Sequence, residues 1–198
     1  MKNKFPFRIL LIVFVFAMQL SPQVSAQKKL HVGADIVSSY VWRGLLYNPV
    51  PNIQPSITFT SGDESFSIGT WGSYGIGSYY GEVDFFTTYS VGGLTLALWD
   101  YYVMPADFNY NFFNYINDET GHSLEFSAVY EGPENIPFCL TWGTFFYGND
   151  LNEAGNNMYS SYFELGYNFN IGDTPIYVFT GFTPWESFYA PEFSLINV

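Results

Sequence analysis

The sequence predicts an all-β chain: an up-and-down antiparallel transmembrane β-barrel with ten visible strands, preceded by a secretory leader. Three observations carry this prediction. Apolar and polar residues alternate with period two through most of the chain, which places apolar side chains on one face of each strand and polar ones on the other. Turn signals of Gly, Asp and Pro separate the strands, and short connections alternate with long ones, the arrangement of outer-membrane barrels. Charged residues make up only 12% of the sequence while aromatic residues make up 22%. A water-exposed surface carries roughly a quarter to a third charged residues with both signs mixed.

The leader comes first. Lys2, Lys4 and Arg8 flank an apolar run from Ile9 to Met18, and Val24-Ser25-Ala26 offers small residues at a cleavage site. The apolar run is shorter than the roughly 20 residues that cross a bilayer as a helix. Residues 1–26 are therefore expected to be a signal peptide for Sec-dependent export, and residues 27–198 the outer-membrane barrel. No Cys follows the cleavage site to take a lipid anchor. Beyond residue 26, three basic residues (Lys28, Lys29 and Arg43) stand against eighteen acidic ones, a net charge of −15. Nucleic acid is excluded as a partner, because binding phosphates requires clustered Lys and Arg.

The first strand reads from Leu30 to Arg43, with Leu30, Val32, Ala34, Ile36, Tyr40 and Trp42 on one face and His31, Gly33, Asp35, Ser39 and Arg43 on the other. In the second, Ile53, Ile57 and Phe59 oppose Gln54, Ser56, Thr58 and Thr60. The third falls at Phe66 to Tyr74. In the fourth, Val83, Phe85, Tyr89 and Val91 oppose Glu82, Asp84, Thr88 and Ser90. The fifth covers Leu94 to Met104. In the sixth, Leu124, Phe126, Ala128 and Tyr130 oppose Ser123, Glu125 and Ser127. The seventh is Phe138 to Tyr147. The eighth alternates Phe163, Leu165, Tyr167, Phe169 and Ile171 with Tyr162, Glu164, Gly166, Asn168 and Asn170. The ninth covers Ile176 to Thr183, and a short tenth begins near Phe193. A spanning strand needs about 9 to 11 residues. The short tenth strand is thus expected to mark a truncated barrel, with twelve strands in the complete protein.

Tight turns are expected at residues 62–64, 92–93, 132–137 and 172–174, and long loops at 45–51, 75–79, 105–121, 148–158 and 184–191. The Asn-rich and aromatic stretch Asp107 to Asn117 is the longest of these. Cys139 is alone, so no intramolecular disulfide can form. Its neighbours Phe138, Leu140 and Trp142 suggest a buried, inert thiol.

Ser39-Tyr40-Val41-Trp42-Arg43-Gly44, followed by a loop with Pro49 and Pro51, resembles the TorF family of porins, also described as a Gcw-type conserved outer-membrane family. Trp71 with Ser73, Glu82-Val83-Asp84, Tyr101-Tyr102-Val103-Met104-Pro105 and Glu125 extend the resemblance. It implies a barrel and a pore, and it carries over no substrate, cofactor or catalytic residue.

Asp35, Glu82, Asp84, Glu125 and Glu164 fall on the polar face, with Arg43 near its loop end. If that face lines a lumen, the interior is acidic and favours cations. The expected function is a porin-like barrel passing small hydrophilic, preferentially cationic solutes, with membrane lipid around it, no cofactor, no metal and no catalysis. One alternative is a closed structural or ligand-binding barrel whose loop from Asp107 to Asn117 meets a partner. Another is a lipid or peptide hydrolase drawing on His122, Ser123 and Glu125, which alternation disfavours by setting His122 on the face opposite the other two, or on His122 with Glu82 or Asp84 at the rim. A soluble barrel with the faces inverted is the last. His31 and His122 are expected at opposite ends and share no ligand. Arg43 is expected within reach of Glu82, Asp84 or Glu125.

Overall fold

Alternation this regular can be satisfied only in a sheet, and the computed structural model is one large antiparallel sheet of ten strands with a small hairpin beside it. It describes residues 29–104, 111–116 and 119–197. The expected leader lies outside the described residues, as do Asp107 to Tyr110 and Asn117 of the long loop.

In chain order the strands are β1 (Lys29–Val37), β2 (Tyr40–Trp42), β3 (Leu45–Asn48), β4 (Asn52–Thr60), β5 (Phe66–Gly75), β6 (Gly81–Val91), β7 (Leu94–Val103), β8 (His122–Glu131), β9 (Phe138–Gly148), β10 (Ser161–Ile171), β11 (Thr174–Thr183) and β12 (Ser194–Asn197). The main sheet runs β1-β4-β5-β6-β7-β8-β9-β10-β11-β12, so each strand pairs with its neighbour in the chain once β2 and β3 are set aside. β1 and β12 are the outer strands, and no hydrogen-bonded pair joins them among the described residues.

Register assigns the faces. Ile36 pairs with Ile53, Val32 with Ile57, Phe126 with Leu98, and Phe163 with both Trp142 and Phe182. These residues, with Phe85, form an outer face that leaves Ile36, Ile57 and Phe85 exposed. The opposite, inner face holds Asp84 beside Tyr101, Trp99 beside Glu125, and Glu164 beside Thr141. A one-residue slip would exchange the two sets, so a register kept across ten strands ties the polar residues to one side. The short turns at 61–65, 92–93, 132–137 and 172–173 all lie at one end of the sheet, hereafter the turn end. The longer connections lie at the other, the loop end.

The first strand departs from the sequence reading. It ends at Val37, bends at Ser38-Ser39, and continues as a separate hairpin, β2–β3. Trp42 pairs with Leu45 across a two-residue turn in which Arg43 and Gly44 both take positive φ, 48° and 78°. Positive φ at both central residues is the type I′ geometry that suits the twist of a hairpin. The segment read as the loop from Leu45 therefore contains β3, and Tyr40 and Trp42 leave the outward phase of β1. Tyr40 is buried, against Tyr47, Trp71 and Tyr80.

The hairpin also reports the curvature of the sheet. Trp42 meets Tyr101 of β7 and Phe145 of β9, Arg43 reaches Glu125 of β8, and Gly44 lies against Ile196 and Asn197 of β12. Inner faces of strands far apart in the sheet thus converge on one element, and the sheet wraps round it. The buried apolar core is small and aromatic: Phe145, Tyr162 and Tyr189, packed against Trp42, Leu45, Tyr101 and Ile196. It sits at the loop end.

Cys139 needs a correction. It pairs with Glu131 and Gly166 on the inner face and is only half-buried, while Phe138, Leu140 and Trp142 are exposed on the outer face. The apolar neighbours signalled an outward-facing surface, not a core around the thiol.

Candidate functional site: the loop end of the inner face

The site is built from the inner-face residues of β6 to β10 and the side chains that the hairpin and the loop after β11 bring to meet them. Glu82 and Asp84, two residues apart on β6, share the inner face and are both buried. The Tyr80 hydroxyl donates a hydrogen bond to Glu82 Oε2. Asp84 sits close enough to Glu82 for the two carboxyls to hydrogen-bond, and no hydroxyl, amide or cation meets Asp84 Oδ1. Two carboxyls packed together out of water repel unless a proton or a cation lies between them.

Glu125 is fully buried on β8 and is held by Arg43 through two parallel bonds, Nη1 to Oε2 at 2.5 Å and Nη2 to Oε1 at 2.9 Å. Nη1 also donates to the Tyr189 hydroxyl at 2.6 Å. The guanidinium lies 4.2 Å from the centroid of Trp42 and 4.9 Å from that of Tyr162. A planar cation between two rings and a carboxylate uses both its in-plane donors and its faces. The expected contact between Arg43 and an inner-face acid is therefore present, but the route differs. Arg43 reaches Glu125 from the tip of a hairpin and not from the end of the first strand.

The other expected lumen charges are more scattered. Asp35 stands opposite Gln54 on the inner face of β1, exposed because β1 has a partner on one side only. Glu164 accepts hydrogen bonds from the hydroxyls of Tyr162 at 2.6 Å and Tyr177 at 2.9 Å, nearer the turn end. Glu82, Asp84, Glu125 and Arg43 gather at the loop end, whereas Asp35 and Glu164 do not join them.

His122 meets neither Glu82 nor Asp84. Its register partner is Tyr102, on the outer face, and its Nδ1 lies 2.7 Å from Asp100 Oδ1, with Nε2 2.6 Å from the Phe112 carbonyl oxygen. Phe112 and Tyr115, from the long loop, pack on the imidazole and bury it against the outside of β7 and β8. The described part of that loop thus folds back on the sheet, although Phe113 remains exposed. Ser123 lies on the inner face with Glu125, so the grouping of His122, Ser123 and Glu125 is divided between the two sides of the sheet.

Between the hairpin and the strands lies a cavity of about 240 Å³, lined by Trp42, Tyr47, Glu82, Tyr101, Phe145 and Phe188 among others. Tyr47 touches Trp42 and Phe188, and Trp42 touches Tyr101 and Phe145, so the rings form a continuous wall. Asp150 closes another side, its carboxylate accepting from both the amide and the hydroxyl of Ser160. Burial pushes the Asp150 carboxyl up, and the Ser160 bonds oppose that shift. Sequence reasoning missed these aromatic residues because they come from the hairpin, two strands and a loop that are distant in the chain. The Arg43-Gly44 step was the one available hairpin signal, weaker than Asn-Gly because Arg seldom takes positive φ.

No family model, curated protein or solved structure matches the chain.

Proposed function

We propose that the chain is a porin-like outer-membrane β-barrel with an acidic interior open to small cationic or polar solutes and narrowed at its loop end by the β2–β3 hairpin. The observation that carries this reading is the division of faces. Ile36, Ile57, Phe85, Leu140 and Leu165 are exposed on the outer face, while Glu82, Asp84 and Glu125 are buried on the inner one. A protein in water gains nothing by presenting aliphatic side chains along every strand, whereas a lipid-facing wall requires them. In this reading the sheet closes in the membrane, since hydrocarbon does not tolerate open strand edges.

A closed, non-conducting barrel is the second reading, and a specific observation favours it. The interior at the loop end is filled by Trp42, Tyr101, Phe145, Tyr162 and Tyr189 around the Arg43–Glu125 pair. One set of measurements separates the two. Purified from outer membranes in detergent, the protein should migrate differently on a gel before and after heating, and recovery as a detergent-free monomer would sink the membrane barrel. In planar bilayers, small cation-preferring conductance is expected, with the preference reduced in Glu82→Gln and Asp84→Asn. Deleting residues 39–48 should raise the conductance by removing the hairpin. Bilayers that stay silent for both forms select the closed barrel.

A further inference from the structure

We infer that the loop-end cavity is a binding site for a small organic ammonium cation, a proposal that rests on the acidic-interior reading and specifies its ligand class. The first argument is charge. Of the basic side chains among the described residues, Lys29 is bonded to Glu64 at the turn end, Arg43 is bonded to Glu125, and His122 is bonded to Asp100 on the outer face. His31 stands on the inner face of β1 opposite Thr58, near the turn end. None of them contacts Glu82, Asp84 or Asp150. Glu82 lines the cavity and Asp84 stands beside it, the two carboxyls within hydrogen-bond reach of each other and Asp84 Oδ1 met by no hydroxyl, amide or cation. A cation in the cavity would supply the charge that this corner of the interior lacks.

The second argument is the wall. Trp42, Tyr47, Tyr101, Phe145 and Phe188 turn the cavity into an aromatic box with two carboxylates, Glu82 and Asp150, in its wall. Aromatic faces attract ammonium groups through the ring quadrupole, most strongly where water is excluded. Trp42 already accepts one cation in this way, the guanidinium of Arg43 at 4.2 Å. The same wall is wrong for a hard metal ion, which needs about six oxygen ligands. Among the described residues no three His, Cys, Asp or Glu side chains converge to hold one.

The third argument is size. Pockets for drug-sized ligands run from about 300 to 1,000 Å³, and a cavity of about 240 Å³ suits something smaller. An alkylated ammonium of a few carbons combines the charge, the apolar surface and the dimensions.

The test is isothermal titration calorimetry of the full, detergent-folded protein with tetramethylammonium chloride, and with tert-butanol as a neutral probe of similar shape. Saturable binding of tetramethylammonium and none of tert-butanol are expected. Glu82→Gln should weaken binding tenfold or more. Phe188→Leu, a change at a half-exposed ring that leaves the core intact, should weaken it severalfold. Glu134→Gln, in the turn before β9 at the far end, should change nothing. Absent binding by folded protein, equal binding of the neutral probe, or an unaltered affinity in folded Glu82→Gln would each overturn the proposal. Heat-modifiability is scored on the same samples, so loss of the ligand site and loss of the membrane barrel are read separately.

Discussion

The two ends of the sheet share the same alternation and differ in almost everything else. Along β10, Ser161 and Tyr162 at the loop end are buried, and every residue from Tyr167 to Ile171 at the turn end is exposed, inner-face Asn168 and Asn170 included. β11 repeats the gradient in the opposite direction. The turn end is joined by tight turns with Gly92, Gly93 and Gly172 at positive φ, and its inner face carries Ser, Thr, Gly and Asn. The loop end holds the hairpin, the aromatic core, the cavity and the buried charges. Strand period decides which face a residue takes. Burial depends on whether anything is laid over that face, and at the loop end the hairpin covers the inner face while a returning loop covers part of the outer one.

The contrast can be broken most directly at the ion pair. Glu125→Ala leaves the Arg43 guanidinium in a buried site without its carboxylate, and should cost about 3 to 5 kcal/mol of stability. Urea unfolding of the detergent- or lipid-reconstituted protein measures it. A loss below about 1 kcal/mol would mean that water reaches Arg43 and that the loop end is as open as the turn end.

Glycines at the two ends offer a matched pair. Gly44 has φ +78°, and an added Cβ would lie 2.9 Å from the Ile196 carbonyl oxygen and from Asn197 Cβ. Gly44→Ala therefore combines left-handed strain with a clash and should cost about 3 kcal/mol. Gly172 at the turn end has φ +61° and open space around it. Gly172→Ala should cost about 1 kcal/mol, from the backbone alone. Equal effects in a shared unfolding assay would show that the hairpin tip is not docked on β12.

The Arg43 cradle can be sharpened by removing one hydroxyl. Tyr189→Phe deletes the acceptor that Nη1 meets at 2.6 Å and keeps the ring against Trp42. With Glu125 still in place, a loss of about 1 kcal/mol is expected in the same unfolding assay. No loss would leave Glu125 as the only acceptor that matters.

The smallest effect belongs to Lys29 and Glu64 at the turn end, both exposed. The hydrogen bond and charge of Lys29 hold the Glu64 carboxyl below its usual range. Its contribution is thus present at neutral pH and is lost as pH falls through the carboxylate range. Because exposed pairs contribute little, Lys29→Ala should leave the urea midpoint at pH 7 unchanged. A clear drop would place the turn end closer in character to the loop end.

Much of this architecture was legible in the residues. Period-two alternation located nine of the ten strands of the main sheet to within a few residues, because each strand must keep apolar and polar side chains on opposite faces whatever surrounds it. The alternating lengths of the connections separated the turn end from the loop end for the same local reason. Alternation also set Glu82, Asp84, Glu125 and Glu164 on one face.

The failures all lie where local pattern stops. Tyr40 and Trp42 continue the apolar phase of the first strand, yet the bend at Ser38-Ser39 turns them into the interior. Alternation has no term for a chain that reverses at an Arg-Gly step. Cys139 was read from its neighbours in the chain, whereas its surroundings are set by Glu131 and Gly166 on adjacent strands. Alternation sets His122 on the face opposite Ser123 and Glu125, where the structure has it, but gives no sign of its partner Asp100 or of the returning loop that covers it. By itself the sequence determined the faces and ends of a β-sheet, since both follow from side-chain period and turn chemistry over a few residues. Only the tertiary structure decided that a hairpin lies across the loop end, that Arg43 takes Glu125 among the three acids expected within its reach, and that an aromatic cavity lies beside Glu82. Those contacts join residues as distant as Arg43 and Tyr189, 146 positions apart in the chain, and packing, not local pattern, selects them.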